Sequence, residues 1–223
     1  MPRTYFEQKL DELTGRLTAM SRMVEGLIEN SLGAIHYRDP SKAEAVIIGD
    51  REIDATEVEI EEDCVELLAL QQPMAGDLRR LVAILKINND LERIGDHAVN
   101  IAETALNLAE RGGDWKLPIE LSEAGAIAQG MLRDVLDAFV QRDPEKARDV
   151  LMRDDRVDRL HESHLRSAIT VMMESPKEIG VTLSFILVGR NIERVADLAT
   201  NIGEDVVYLV EGKTIRHPRV FHN

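Results

Sequence analysis

Four pairs of carboxylates recur in this sequence at a spacing of four: Asp50 and Asp54, Glu92 and Asp96, Asp154 and Asp158, Glu193 and Asp197. On a helix, residues four apart share a face, with roughly 5–6 Å between their Cβ atoms. Like charges so placed cost the helix about 0.2–0.5 kcal/mol per pair. A bound cation reverses that cost. Oxygen-only ligands of this kind suit hard cations such as Mg2+, Ca2+ and Mn2+, or iron. Neighbouring carboxylates can also bridge metals, so the pattern is compatible with more than one ion.

The plainer reading of any one pair is a solvated helix face. Arg93 stands three residues from both Asp90 and Asp96, and Arg194 three from Asp197, so intrahelical pairing can neutralise part of the charge. Duplication favours the metal reading. LERIGDHAVNIAE (91–103) returns as IERVADLATNIGE (192–204), matching Glu92, Arg93, Asp96, Asn100 and Glu103 with Glu193, Arg194, Asp197, Asn201 and Glu204. Arg38-Asp39-Pro40 returns as Arg142-Asp143-Pro144, and that register pairs Asp50 and Asp54 with Asp154 and Asp158. Such a repeat is one structural unit used twice.

The elements that must carry these residues are helices. Leu10, Leu13, Leu17, Met20, Val24, Leu27, Ile28 and Ile35 fall three or four apart, predicting an amphipathic helix over about residues 5–37. Asp39 can cap the next helix and Pro40 fits its first turn. That helix is expected to run through Val46, Ile47, Ile53, Val58, Val65, Leu68 and Leu70 to about Gln72, where Pro73 breaks it. A third follows from about residue 75 to 110. Gly112-Gly113-Asp114 is the strongest linker signal, placing a boundary between residues 1–113 and 114–223. The plan then restarts, with helices expected over about 119–140, from Pro144 to about Met173, and from the Ser175-Pro176 break to about Val210, with the tail after Gly212 fraying. On the third helix Asn89, Glu92, Asp96, Asn100 and Glu103 share a sector of under about 90°, opposite Ile87, Leu91, Ile94, Ala98 and Ile101. If the second and third helices are antiparallel neighbours, their acidic stripes line one outer groove.

Composition agrees with a helical protein. Hydrophobic residues make up 44% of the 223 but aromatic residues only 4%, so the core must come from aliphatic side chains. Forty-one acidic against 27 basic residues give a formal charge of −14, which disfavours nucleic acid and favours cations or basic partners. The single Cys64 excludes an intrachain disulfide framework and a four-cysteine zinc site. No apolar run reaches the roughly 20 residues of a membrane span, and the first residues lack a signal-peptide core. A cytoplasmic location and no integral membrane character are expected.

The remaining candidates carry less. His161-Glu162-Ser163-His164 lacks the spacing of H-E-x-x-H. His161 does lie one turn beyond Asp158 and replaces Glu57 of the first half, so it can join the second site or be a plain surface histidine. His97 aligns with Leu198 and reads as peripheral. No Ser-His-Asp set or Gly-rich phosphate loop is present. A ferritin-like di-metal oxidase or metal-storage protein would need Glu-x-x-His on two helices, and the chain has none. A metal-free helical scaffold is the other alternative.

The chain resembles the PhoU family, regulators associated with bacterial phosphate uptake. QQPMAGDLRR (71–80), the two E-R-x-x-D helices and VVYLVEGKTIRH (206–217) carry the likeness, which covers almost the whole length. The resemblance implies an all-α fold of two tandem, pseudo-symmetric antiparallel three-helix bundles with six long helices, and no enzymatic activity. It implies metal ions, in some members clusters, with identity open among iron, Mn, Mg, Zn and Ca. Carried over, Asp50, Asp54, Glu92 and Asp96 would ligate the first site and Asp154, Asp158, Glu193 and Asp197 the second. Asn100 and Asn201 would lie nearby. It further implies a homodimer that negatively regulates phosphate signalling by contacting the ATPase subunit of the phosphate ABC transporter and a sensor histidine kinase. The chain departs from internal symmetry where Asp90 becomes Asn191 and Glu57 becomes His161, so the two sites are expected to differ.

Overall fold

The computed structural model describes residues 3–71 and 73–215. Gln72, the expected end of the second helix, lies outside the described residues, as does most of the tail expected to fray. Seven α-helices occur among the described residues: α1 (Arg3–Tyr37), α2 (Pro40–Gln71), α3 (Ala75–Arg111), α4 (Ile119–Gln141), α5 (Pro144–Leu151), α6 (Asp154–Glu174) and α7 (Ile179–Glu211). A 3-10 turn at Pro176–Glu178 precedes α7. No strand occurs among the described residues.

The duplicated Arg-Asp-Pro tripeptides build the same corner twice. Arg38 and Arg142 take left-handed backbone, with φ of 54° and 53°, which ends α1 and α4. Asp39 Oδ1 then accepts from the backbone N–H groups of Ser41 and Lys42 at 3.0 and 3.3 Å. Asp143 Oδ1 accepts from Glu145 and Lys146, both at 3.0 Å. Each aspartate thereby satisfies two N–H groups that a helix start leaves without partners.

The corners fold α1, α2 and α3 against one another, and α4, the α5–α6 pair and α7 likewise. Across the middle, Lys86 on α3 meets Asp205 on α7 at 3.0 Å, and His97 meets Asn191 at 2.9 Å. As numbers rise along α3 they fall along α7, so these two helices pack antiparallel. Leu32 on α1 lies against Gly125 on α4, where an added Cβ would come within 3.0 Å of it. One aliphatic core therefore runs through both halves.

Two sequence expectations change. The first concerns the face of α2: Val58, Val65 and Leu70 are 50%, 54% and 60% exposed, while Ile53, Ile60, Cys64 and Leu67 fill the core. At 100° per residue those four stay within about 60° of each other, and Val58 and Val65 lie roughly 120–140° away from Ile53. The helix thus has apolar residues on two faces, and only one can be inside.

The second is the helix expected from Pro144 to Met173, which is interrupted at Met152 and Arg153. In the first half the position of Arg153 is held by Gly49, where a Cβ would stand 3.1 Å from Leu27 on α1. Arginine cannot make that close approach. Its guanidinium turns instead to Asp134 on α4 at 2.6 Å, and its N–H bonds three rather than four residues back, to Val150. The backbone stays right-handed through the join. One consequence is that Asp154 now begins a helix, which Asp50 does not.

Candidate metal centre

In the first half, α2 supplies Asp50 and Asp54 and α3 supplies Glu92 and Asp96. Antiparallel packing brings the two acidic stripes into electrostatic contact. Burial pushes the Asp50 carboxyl up to about 6, and the charges of Asp54 and Asp96 push the same way. Glu92 is raised first by burial and then by Asp96, Glu57, Asp54 and Asp50. Glu57, which the repeat alone did not single out as a ligand, is raised by burial and by Glu61 and Asp54. It belongs to the same negative field.

A glycine sets the inner wall of this cluster. A Cβ on Gly95 would stand 2.8 Å from Asp50 Oδ1. Only the bare α3 backbone lets that carboxylate lie so close. The second half has Ala196 at the matching position, so Asp154 is seated differently.

In the second half, burial pushes Asp154 up to about 6, helped by Asp158, Asp197, Asp155 and Glu193 in that order. Its Oδ1 is buried without a hydrogen-bond partner. The start of α6 offers some relief, because N–H groups of a first turn favour a carboxylate by about 0.3–1 kcal/mol. His161 takes the place of Glu57, and its charge eases Glu193 downwards against the larger effects of burial and Asp197. The imidazole fits because α7 has Gly189 beside it, where a Cβ would come within 3.0 Å of Nδ1. The first half has Asn88 there instead, donating to the Glu57 carbonyl at 2.9 Å. Histidine with glycine has replaced glutamate with asparagine, and the sequence shows that exchange only when both helices are aligned. His161 Nδ1 is likewise buried and unpaired.

The two centres also differ in how arginine screens them. Arg194 bonds Asp197 at 3.1 Å. Arg93, its counterpart, turns to Asp90 at 3.4 Å, a position that is Asn191 in the second half. Asp96 consequently has no ion pair among the described residues, and the first centre holds more uncompensated charge. His97, expected to be peripheral, instead sits half-buried between the halves. It bonds Asn191, and it feels Asp96 while easing Asp197 downwards.

Asn100 is exposed on α3, and Asn201 lines a cleft between α3 and α7 with Lys86 and Arg93. Cys64 is fully buried, and burial pushes its thiol up to about 12, which removes it as a thiolate ligand. Among the described residues, no three His, Cys, Asp or Glu side chains are gathered tightly enough to enclose an ion as they stand. Asp54, Asp96 and Asp158 are exposed, and closing a ligand set requires them to turn inwards. The donor chemistry nevertheless fits a cation. The first half offers oxygens alone, the second adds an imidazole, and in the second an unpaired carboxylate oxygen and an unpaired ring nitrogen are already buried.

Gly95→Ala tests the first centre. Alanine favours a helix interior by up to about 1 kcal/mol over glycine, so the fold should hold. Its methyl displaces Asp50, and affinity for Mn2+ at one of two sites should fall about 10-fold by titration calorimetry, an estimate for moving one ligand. Unchanged binding at both sites removes Asp50 from the ligand set.

Both halves of the chain match the PhoU domain family, over residues 17–105 and 121–206. The chain is 40% identical over 212 residues to the phosphate-specific transport system accessory protein PhoU homolog of Pseudomonas putida, covering 95% of this chain and 83% of that protein. The crystal structure of PhoU from Pseudomonas aeruginosa superposes with a TM-score of 0.91 at 38% identity, over 93% of this chain and all of that one (100%). The phosphate transport system regulatory protein PhoU from Streptococcus pneumoniae gives 0.86 at 30% identity, over 94% and 99%. With the repeat matched in both halves and the helical architecture shared nearly end to end, the chain belongs to the PhoU family.

Proposed function

We propose that this protein is a non-enzymatic, cytoplasmic, metal-binding regulator of phosphate uptake that holds phosphate-responsive signalling off when phosphate is plentiful. The observation that carries the regulatory role is the family match across both repeats, with relatives named as accessory proteins of phosphate-specific transport. Its partners would be the ATPase subunit of the phosphate ABC transporter and the sensor histidine kinase, engaged by a homodimer. No described helix is long and apolar enough to cross a membrane, which fits a protein recruited to a transporter from one side.

In this reading the chain consists of two units, 1–113 and 114–223, each with one metal centre. Asp50, Asp54, Glu92 and Asp96 hold the first, and Asp154, Asp158, Glu193 and Asp197 the second, with His161 beside the latter. A bound cation supplies positive charge between helices that otherwise repel, tying α2 to α3 and α6 to α7. The protein's own part is to present the carboxylates from two helices each, so that metal fixes the surface offered to partners. A metal-free scaffold is the competing reading, favoured by the spread of the carboxylates as they stand.

The test is genetic and biochemical together. Deleting the gene should leave a phosphate-starvation reporter on in phosphate-rich medium, and the tagged protein should retain the transporter ATPase subunit. A reporter that still switches off normally would sink the regulatory role. Loss of control on deletion, with full rescue by a variant lacking the carboxylates, would favour the metal-free scaffold.

A further inference from the structure

The outer face of α2 differs from the matching face of the second half. Ile48, Ala55, Val58, Val65 and Ala69 are all exposed on it. At 100° per residue they share a sector of about 100°, turned away from the buried Ile53, Ile60 and Cys64. At the offset of 104 set by the Arg-Asp-Pro corners, the second half has Met152, Arg159, Glu162, Ile169 and Met173 there. Arg159 and Glu162 interrupt that face at its middle, and Glu162 pairs with Arg166 at 2.8 Å. Charges of both signs, paired along the helix, are what water-facing helices usually carry.

On α2 the spacing is that of a seam. Ile48, Ala55 and Ala69 fall on one line of seven-residue repeats, with Glu62 between them, and Val58 and Val65 on a second line three residues on, which Arg51 begins. These are the a and d lines of a coiled coil, whose e and g neighbours select the partner by charge. On α2 the e line is Glu52, Glu59 and Glu66, and Asp54 and Glu61 stand on the g line. Glu59 lies 3.9 Å from Arg16, which Asp63 holds more closely. Glu52, Glu61, Glu62 and Glu66 make no ion pair among the described residues. Asp54 also borders the metal centre, and the four glutamates suffice without it. The e line of the second half is Arg156, Ser163 and Thr170.

This pattern selects the occupant. A second copy of the chain would set the same glutamates against each other, and like charges across a seam exclude a partner. Nucleic acid and anionic lipid are repelled likewise, because α2 carries ten acidic residues against Lys42 and Arg51. The stretch from α5 through α6 carries seven against six. A helix with lysine or arginine at its own e and g positions gains along both flanks. One more basic residue opposite Glu62 would fix its register, and Ala55 and Ala69 leave room for its larger aliphatic side chains.

We infer that the outer face of α2, over residues 48–69, is the seat of a basic amphipathic helix belonging to a partner protein. That helix packs its apolar seam on Ile48, Val58 and Val65 and its lysines or arginines on the flanking glutamates. Neither metal centre is required for it.

Two synthetic 21-residue peptides test this against the full-length protein by titration calorimetry in EDTA at low salt. Both carry leucine at a and d, one with lysine and the other with glutamate at e and g, so neither pairs with itself. The lysine peptide should bind one to one, and the glutamate peptide not measurably. Glu52→Gln with Glu66→Gln should weaken the lysine peptide roughly 10-fold, for two lost charge pairs. Val58→Ser with Val65→Ser should cost on the order of 10-fold as well, for lost apolar contact. All four side chains are exposed, so far-UV circular dichroism should be unchanged. Glu162→Gln, on the matching face of α6, should leave binding as it was. In cells, a photocrosslinking residue in place of Val58 should capture a segment whose mapped sequence has apolar residues three and four apart and basic flanks. Equal binding of the two peptides, no binding of the lysine peptide, or binding indifferent to the α2 substitutions overturns the inference. So does loss of binding on adding Mn2+, which would put the peptide in the metal groove, or capture of an acidic segment, of a second copy of this chain, or of nothing.

Discussion

Neutralising the first acidic cluster, with Asp54→Asn, Glu92→Gln and Asp96→Asn together, is expected to make the chelator-treated protein more stable, by about 1–3 kcal/mol. Carboxylate removal usually weakens a protein by taking away ion pairs. Here no ion pair among the described residues is made by Asp54, Glu92 or Asp96, and Asp50 and Glu92 are raised by burial and by their neighbours' charge. The replacements keep shape and hydrogen-bonding capacity while removing three like charges from one groove. With metal present the order should reverse. A ligand at 100 times its dissociation constant stabilises the folded state by about 2.7 kcal/mol, and the variant forfeits that at one centre. Thermal unfolding with EDTA and then with saturating Mn2+ measures both, and elemental analysis should show metal lost from that centre alone. A variant that is less stable in EDTA, or that gains as much from Mn2+ as the parent, would remove these residues from any metal site.

The helical plan was legible because its signals are local. An Arg-Asp-Pro tripeptide contains its own left-handed stop, cap and first-turn proline, so both corners could be placed from three residues each. The inner face of α3 was legible for a related reason: Ile87, Leu91, Ile94, Ala98 and Ile101 lie on one side, and all five are buried. On α2 that condition fails. Val58 and Val65 form an outer apolar stripe beside the inner one at Ile53, Ile60 and Cys64, and hydropathy alone cannot choose between them. The break before Asp154 was hidden differently. It depends on how closely α1 can approach Gly49 and α4 cannot approach Arg153, a contact about 20 residues away in sequence.

The eight candidate carboxylates were legible as spacing, and the packing does set each half's four in one electrostatic field. What spacing could not show is the surrounding shell. Gly95 against Asp50 and Gly189 against His161 are close approaches between helices, and no single helix reveals them. The diversion of Arg93 to Asp90 is a choice between two equally spaced acids. It is settled by Asp90 being buried at the interface with α7, while Asp96 faces outwards. Asymmetry between the centres therefore arises mainly from neighbours rather than ligands.

pH should move the chelated and the metal-loaded protein in opposite directions. Asp50 and Asp154 both rise from the usual 3.8 to about 6 in the folded protein. Between those values the folded state holds protons that the unfolded chain has released, so stability falls as pH rises. The contribution is fully present below about pH 4 and lost above about 6. Two units for each group would be near 2.7 kcal/mol, but both retain some solvent contact and share the same repulsion. About 1–2 kcal/mol for each half is the realistic scale. His97 and His164 work the other way: burial lowers both, so they penalise the folded state as pH falls below 6.5. Comparing the protein with its Asp50→Asn, Asp154→Asn variant cancels that histidine contribution. In EDTA, the stability difference between the two, read from urea unfolding, should shift by about 1–3 kcal/mol in the variant's favour from pH 4.5 to 7, since part of the contribution is already lost by pH 4.5. With Mn2+ the parent should instead gain relative to the variant over the same range, because protons and metal compete for the same oxygens. A difference that stays flat in EDTA means the two aspartates are not strained by burial. A difference that is the same with and without Mn2+ means that no ion sits on them.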